Sequence, residues 1–313
     1  MMKKISVVIP MYFEEEVVEE CYNRTITTLN CLSEKYDNEI IFVNDGSKDK
    51  TLEMLEKIAQ NDKNVKIISF SRNFGHQAAV TAGLKFTTGD AVVIMDADMQ
   101  DPPETIINMF KLWEEGNEVI YAKRKIRQGE TKFKLFTAKM FYKILNGLSD
   151  VDIPKDTGDF RLADRKVINV INSLPEHNKF LRGLFSWVGF KQVPLEYERK
   201  ERFAGKTKYP LKKMLKLASD GITSFSTKPL KLLGVIGCIS IITSIILLIY
   251  AIVSYLFKLN ELTPGWTSLM VTITFLGGMQ LLSIWLISEY IGKIYDESKG
   301  RPEYIIDRKI NFD

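Results

Sequence analysis

Asp96, Asp98 and Asp101 put three carboxylates into six positions at the end of an apolar run, in the stretch VVIMDADMQDPPE from Val92 to Glu104. The apolar residues read as a buried strand, and Pro102-Pro103 with Glu104 as the first turn of a following helix. In an extended chain Asp96 and Asp98 would share one face, with their Cα atoms roughly 6–7 Å apart. Two like charges that close repel unless a cation or a shared proton offsets them. The chain has only two histidines, His76 and His177, and three scattered cysteines, Cys21, Cys31 and Cys238. That composition fits neither a disulfide framework nor a zinc pattern, and it leaves oxygen ligands for any metal, which points to Mg2+ or Mn2+.

Other polar groups follow the same kind of run. Pro10, Tyr12 and Glu14 come at or after KISVVIP (Lys4–Pro10), and Asp45 follows the apolar part of EIIFVNDGS (Glu39–Ser47). Arg72, Asn73 and Gly75 end or follow VKIISFSRN (Val65–Asn73), and NEVIYAKR (Asn117–Arg124) supplies a fifth strand. Helical patterns over about 14–35, 49–60 and 75–85 separate the strands, and this alternation predicts an α/β fold with a mostly parallel sheet. The carboxyl ends of such strands lie on one edge, so these turns should converge on one crevice. Its mixture of aromatic, acidic and basic groups suits a nucleotide. No GxGxxG follows the first strand and no GxxxxGK[ST] occurs, which removes the phosphate devices of dinucleotide dehydrogenases and P-loop ATPases. Phosphate would instead be held through a divalent ion on Asp96 and Asp98, which would also stabilise a departing nucleoside diphosphate.

The chain has 313 residues, 45% hydrophobic and 26% charged, with a net charge of +4, which argues against extensive disorder. No secretory signal is read at the N-terminus. The C-terminal third differs: Leu232–Phe257 is 26 residues without a charge and Leu262–Ser288 another 27. Each exceeds the ~20 apolar residues that span a bilayer. Lys228 and Lys231 precede the first run; Lys293, Lys299, Arg301, Arg308 and Lys309 follow the second, so the large domain and the tail are expected on the cytoplasmic side. Trp266, Trp285 and Tyr290 would sit near the interfaces. Two amphipathic segments, Lys132–Leu148 and Tyr209–Ser226, carry lysines beside aromatic and aliphatic residues and suit an anionic lipid surface. The expected division is a catalytic domain over 1–208, juxtamembrane helices over 209–231, a two-helix membrane region over 232–288 and a tail over 289–313. A chain ending near Lys208 should then fold alone.

VIPMYFEEE, VNDGSKDKT, RNFGHQAAVTAG and MDADMQDPPE, in that order and spacing, resemble family-2 glycosyltransferases. The two apolar runs and TGDFRL (Thr157–Leu162) resemble, more narrowly, the polyprenyl-phosphate glycosyltransferases, among them dolichol-phosphate mannose synthases and bactoprenol glucosyltransferases. The resemblance covers nearly the whole chain. It implies a GT-A domain, Rossmann-like with a mostly parallel sheet, on the cytoplasmic side and followed by two transmembrane helices. It also implies inverting transfer of one hexose from a nucleotide sugar to undecaprenyl phosphate at the inner membrane. UDP-glucose is the expected donor, because the likeness over the whole chain is closer to the bactoprenol enzymes; GDP-mannose or another UDP-sugar is the alternative. Carried over, Pro10, Tyr12, Glu14, Asp45, Arg72, Gly75, Asp96 and Gln100 would bind the nucleotide sugar, and Asp96 and Asp98 the Mg2+ or Mn2+. Asp98, Asp159, Arg199 and Arg202 would serve catalysis, while Lys206, Lys208 and Tyr209 would grip the lipid phosphate. Membrane lipids are expected partners and nucleic acid is not; a homo-oligomer is left open.

The position of Asp159 is the one usually assigned to a base. A phosphate monoester has a second pKa near 6, so the lipid nucleophile is already largely an anion and hardly needs one. Asp159 would then orient a sugar hydroxyl or a basic partner such as Arg161. A processive polysaccharide synthase would need a QxxRW motif and more spans, and a glycoside hydrolase a carboxyl kept protonated. A membrane-anchored nucleotide-sugar-binding protein without catalysis would share the crevice but would not need the metal pair.

Overall fold

The β-branched run Ile5, Val7, Val8 and Ile9 forms the first strand, β1 (Lys3–Met11), and is buried on both faces. Such two-sided burial marks a central strand of a parallel sheet. The computed structural model describes residues 2–125, 154, 157–177, 179–198, 226–256 and 265–312. Arg199, Arg202, Lys206, Lys208 and Tyr209 lie outside the described residues, as do both expected amphipathic segments but for Ser226.

After β1 come α1 (Val18–Asn30), β2 (Tyr36–Asn44), α2 (Thr51–Asn61), β3 (Val65–Phe70), α3 (His76–Phe86), β4 (Ala91–Ile94), α4 (Thr105–Glu114) and β5 (Val119–Arg124). Then follow β6 (Thr157–Asp164), α5 (Arg165–Ser173), α6 (Leu181–Trp187), β7 (Gln192–Tyr197), α7 (Lys228–Leu256), α8 (Trp266–Ser298) and β8 (Ile306–Ile310). One sheet takes the order β7-β5-β6-β4-β1-β2-β3-β8. Pairs β1–β2, β1–β4, β2–β3 and β5–β7 are parallel, while β6 runs against β4 and β5, and β8 against β3. The expected α/β fold with a mostly parallel sheet therefore stands. Alternate residues of each central strand feed two cores: Ile5, Val7, Ile9 and Phe42 pack with α1, α2 and α4, whereas Val8, Ile41 and Val43 pack with α3, α5 and α6.

Three expectations are corrected. β2 ends at Asn44 and β3 at Phe70, so Asp45–Ser47 and Ser71–Asn73 are turns rather than strand. Gly46 explains the first, because its φ of +66° breaks the extended chain. β4 ends at Ile94, so Asp96 and Asp98 lie on a turn beyond the strand instead of sharing its face, with Met99 left-handed at φ +57°. The expected tail is not separate from the first domain: Ile306–Ile310 adds to the sheet beside β3.

The helices α7 and α8 are 29 and 33 residues long. Leu232, Val235, Ile239, Ile242 and Ile246 on α7, and Phe275, Leu281 and Trp285 on α8, are exposed. Among the described residues, Thr272–Ser298 is the one segment long and apolar enough to cross a membrane. Tyr290 Oη donates to the Ser226 carbonyl at 2.8 Å, and the His177 amide donates to Glu297 Oε1 at 2.9 Å, which ties the last turns of α8 to the rest of the chain.

Candidate active site

The strand order reverses between β1 and β4, with β2 and β3 on one side of β1 and β4 on the other. In open α/β sheets ligands sit outside the carboxyl ends of the strands at that switch. Pro10 lies near the end of β1, opposite Val43, past the last β1–β4 pair Val8–Ile94. There its missing N–H costs no ladder bond. Tyr12 and Phe13 follow at the rim, exposed and edge to face at 4.7 Å. The loop after β1 is laced to the loop after β2: the Phe13 amide donates to Ser47 Oγ at 3.1 Å, that of Glu14 to Thr51 Oγ1 at 3.0 Å and that of Lys50 to Glu15 Oε2 at 2.9 Å.

Asp45 is buried and fastens the next loop. It accepts from Asn73 Nδ2 at 2.8 Å and from the amides of Phe74 and Gly75 at 2.6 and 3.0 Å. Burial raises its pKa, partly offset by those donors. Gly75, at φ +105°, turns the chain into α3. Arg72 is exposed at the same loop, its guanidinium 3.9 Å from the Phe74 ring centroid. Gln100 closes the turn after β4, its amide donating to Asp98 Oδ1 at 3.2 Å. The nucleotide-binding residues expected from the sequence thus lie on neighbouring loops of one sheet edge, apart from Pro10, which is inside β1.

The antiparallel β6 brings its start to this edge. Ile94 pairs with Arg161, so Asp159, two residues earlier on β6, lies toward the turn that carries Asp96. His76, first residue of α3, joins them, with Nε2 3.0 Å from Asp159 Oδ2 and 3.7 Å from Asp96 Oδ1. Arg182 of α6 grips Asp159 through Nε at 2.7 Å to Oδ1 and Nη2 at 3.1 Å to Oδ2. Burial would push the Asp159 carboxyl up, but the Arg182 charge and the bonds from His76 and Arg182 hold it well below the usual carboxylate range. For His76, burial is outweighed by Asp159 and Asp96, and its pKa rises to about 9. Asp96 is raised as well, from 3.8 to about 6, by burial and by the nearby charges of Asp159, Asp101 and Asp98, against the lowering effect of His76. The expected partner Arg161 is corrected: it is buried, donates to the Gly158 and Asp159 carbonyls at 3.0 and 3.3 Å, and lies 4.5 Å from the Phe185 ring centroid.

Asp101, third of the clustered carboxylates, is buried and accepts from Tyr197 Oη at the end of β7, with Arg124 Nε 3.4 Å from the same hydroxyl. It fastens the acidic turn to the far strands. Among the described residues no cluster of three or more acidic, histidine or cysteine ligands is assembled. Asp96 and Asp98 still suit a magnesium-type site, since that ion is bound by one or two carboxylates with substrate phosphates and water. Burial and the neighbouring carboxylates raise the pKa of Asp96, a cost that such an ion would offset. His76 and Arg182 were not foreseen. The only sequence signal for His76 is its place straight after Gly75 at a helix start. Arg182 has none, because α6 meets β6 only in the fold.

A mixed α/β sheet with an acidic turn at the switch point is the architecture of GT-A glycosyltransferases. The crystal structure of glucosyl-3-phosphoglycerate synthase from Mycobacterium tuberculosis, in complex with Mn2+, uridine diphosphate and phosphoglyceric acid, aligns with a TM-score of 0.50 at 19% identity, covering 71% of this chain and 76% of that one. That likeness is one of fold. The family model for Glycosyl transferase family 2 matches residues 6–171. The chain is 52% identical to the uncharacterized glycosyltransferase YkcC of Bacillus subtilis (strain 168), over 97% of this chain and 93% of that protein. It is 43% identical to the bactoprenol glucosyl transferase of Shigella phage SfV, over 97% and 98%. The chain belongs to glycosyl transferase family 2 and is a glycosyltransferase.

Proposed function

We propose that the protein transfers one glucose from UDP-glucose, with inversion, to undecaprenyl phosphate at the cytoplasmic face of the membrane. The observation that carries this reading is the acidic crevice at the switch point in a chain that also holds the apolar helices α7 and α8. Relatives named bactoprenol glucosyl transferase, similar over nearly their whole length, support the lipid acceptor and the glucose. Exposed aliphatic side chains along both helices support two membrane spans, although Thr272–Ser298 is the one segment that meets the length and composition of a span among the described residues. α8 continues past the expected limit at Ser288 to Ser298, so its last turns would stand clear of the bilayer.

In the reaction a phosphate oxygen of the lipid attacks the anomeric carbon while the bond from that carbon to the diphosphate breaks, its electron pair leaving on the diphosphate. No proton need move, because the acceptor is already an anion near neutral pH. Mg2+ or Mn2+ held by Asp96 and Asp98 would neutralise the charge gathering on the diphosphate. The Mn2+ and uridine diphosphate in the structure of the mycobacterial synthase are in keeping with that choice. Asp45 and the loops it fastens would bind the nucleoside, with Tyr12 at the rim to stack on it. Asp98→Asn is expected to keep the fold, read by circular dichroism, and to lose transfer by at least about a hundredfold at saturating metal. Full activity in that variant would remove the metal role.

A further inference from the structure

The exposure of the charged groups at the crevice runs opposite to the role usually given to the β6 carboxylate. Asp159 is occluded, its side chain 8% exposed, and both its oxygens accept hydrogen bonds. Arg182 and His76 are the reachable members, with side chains 28% and 27% exposed. An anion entering from solvent meets the guanidinium and the imidazole before it meets the carboxylate. We propose that Arg182, held in orientation by Asp159, is the seat of the acceptor's phosphate. The proposal rests on the transfer reading above and deepens it.

Chemistry and geometry both support it. A divalent ion on Asp96 and Asp98 would offset only part of the negative charge of those carboxylates and the donor diphosphate, so a fixed cation on the path of a phosphate monoester favours its approach. Arginine keeps its charge and offers a planar fork suited to phosphate. Its position is rigid: the Leu181 amide donates to Gln77 Oε1 at 3.1 Å, locking the start of α6 to the residue after His76. The neighbouring arginine cannot serve, since Arg161 is 5% exposed and committed to the carbonyls of Gly158 and Asp159. Asp159 is then a positioning residue, and its hydrogen bonds are what a base would have to break.

The test uses the full-length protein in nanodiscs with UDP-glucose and undecaprenyl phosphate, comparing Asp159→Asn, Arg182→Gln and Arg182→Lys. Asp159→Asn and Arg182→Gln are expected to raise KM for undecaprenyl phosphate roughly tenfold to a hundredfold, the scale of a lost charged hydrogen bond. Affinity for UDP, measured by calorimetry, should stay within about twofold, and Arg182→Lys should recover part of the loss. A collapse of kcat in Asp159→Asn at unchanged acceptor KM would make it a base and overturn the proposal. Weakened UDP binding in Arg182→Gln, with acceptor KM unchanged, would assign the guanidinium to the donor diphosphate and overturn it equally. Should Arg182→Gln not fold, Asp159→Asn and Arg182→Lys still decide. Binding of farnesyl phosphate without donor reads the seat apart from transfer. Wild-type binding lost in Arg182→Gln and Asp159→Asn and partly kept in Arg182→Lys, with no transfer by any protein, would keep the seat and remove the transfer reading; equal binding in all would remove the seat.

Discussion

At the scale of single residues, a buried and a half-buried carboxylate, Glu39 and Asp96, show how differently the same group is used. Glu39, away from the crevice, accepts from Ser6 Oγ at 2.6 Å and the Thr88 amide at 2.7 Å, and pairs with Lys4 and Lys66 at 3.1 and 3.0 Å. Burial would raise its pKa, but these four partners outweigh it and bring it from 4.5 down to about 2. A folded pKa below the unfolded one contributes stability above pH ~4.5, lost as the pH falls from there toward 2. The shift corresponds to about 3 kcal/mol at most. Glu39→Gln is therefore expected to flatten the decline of stability between pH 5 and 2, read from denaturation midpoints; an unchanged decline would contradict the ion-pair role. Asp96 is instead raised to about 6, the kind of perturbation that gathers at functional sites. Much of this site was legible, because Asp45, Asp96 and Asp98 stand straight after apolar strands. His76 and Arg182 were not, because their partner Asp159 is 83 residues from one and 23 from the other.

The elements explain what positions those residues. A Cβ on Gly46 would lie 2.4 Å from the Arg72 carbonyl carbon and 2.8 Å from its Cα, in a residue whose φ is already +66°. The turns after β2 and β3 can approach that closely only without a side chain there. Gly46→Ala is expected to cost about 2–3 kcal/mol and to weaken nucleotide binding as both loops shift. Chemical denaturation and UDP calorimetry read the two effects, and unchanged values would contradict the packing described. β1, β2 and β4 could be found in the sequence because their apolar runs are continuous, as two-sided burial demands, and β3 and β5 because shorter β-branched pairs sit between helical patterns. β6 could not, since Asp159 and Arg161 interrupt its pattern and only tertiary partners make them tolerable inside. β8, IDRKI, is charged along an edge, the composition that keeps a sheet edge from pairing with another molecule.

For the whole molecule, the closing strand matters most. β8 comes after α8, so the chain leaves the first domain, runs through both long helices and returns to complete the sheet. Asn311 secures the return, with Nδ2 donating to the Ala59 and Val65 carbonyls at 2.8 Å each. Tyr304 stacks on Phe70 at 5.0 Å, and Phe312 meets Phe86 edge to face at 5.5 Å. A chain ending at residue 208 would leave β3 as an apolar edge, so it is expected to aggregate on size exclusion rather than fold alone as its sequence suggests. Monodisperse elution would contradict the role given to β8. The measurement that reaches furthest is UDP release by the full-length protein with UDP-glucose and Mn2+, with and without undecaprenyl phosphate. Release that depends on the lipid, with glucose recovered on the polyprenyl phosphate, is the expected result; release at the same rate without lipid would contradict it.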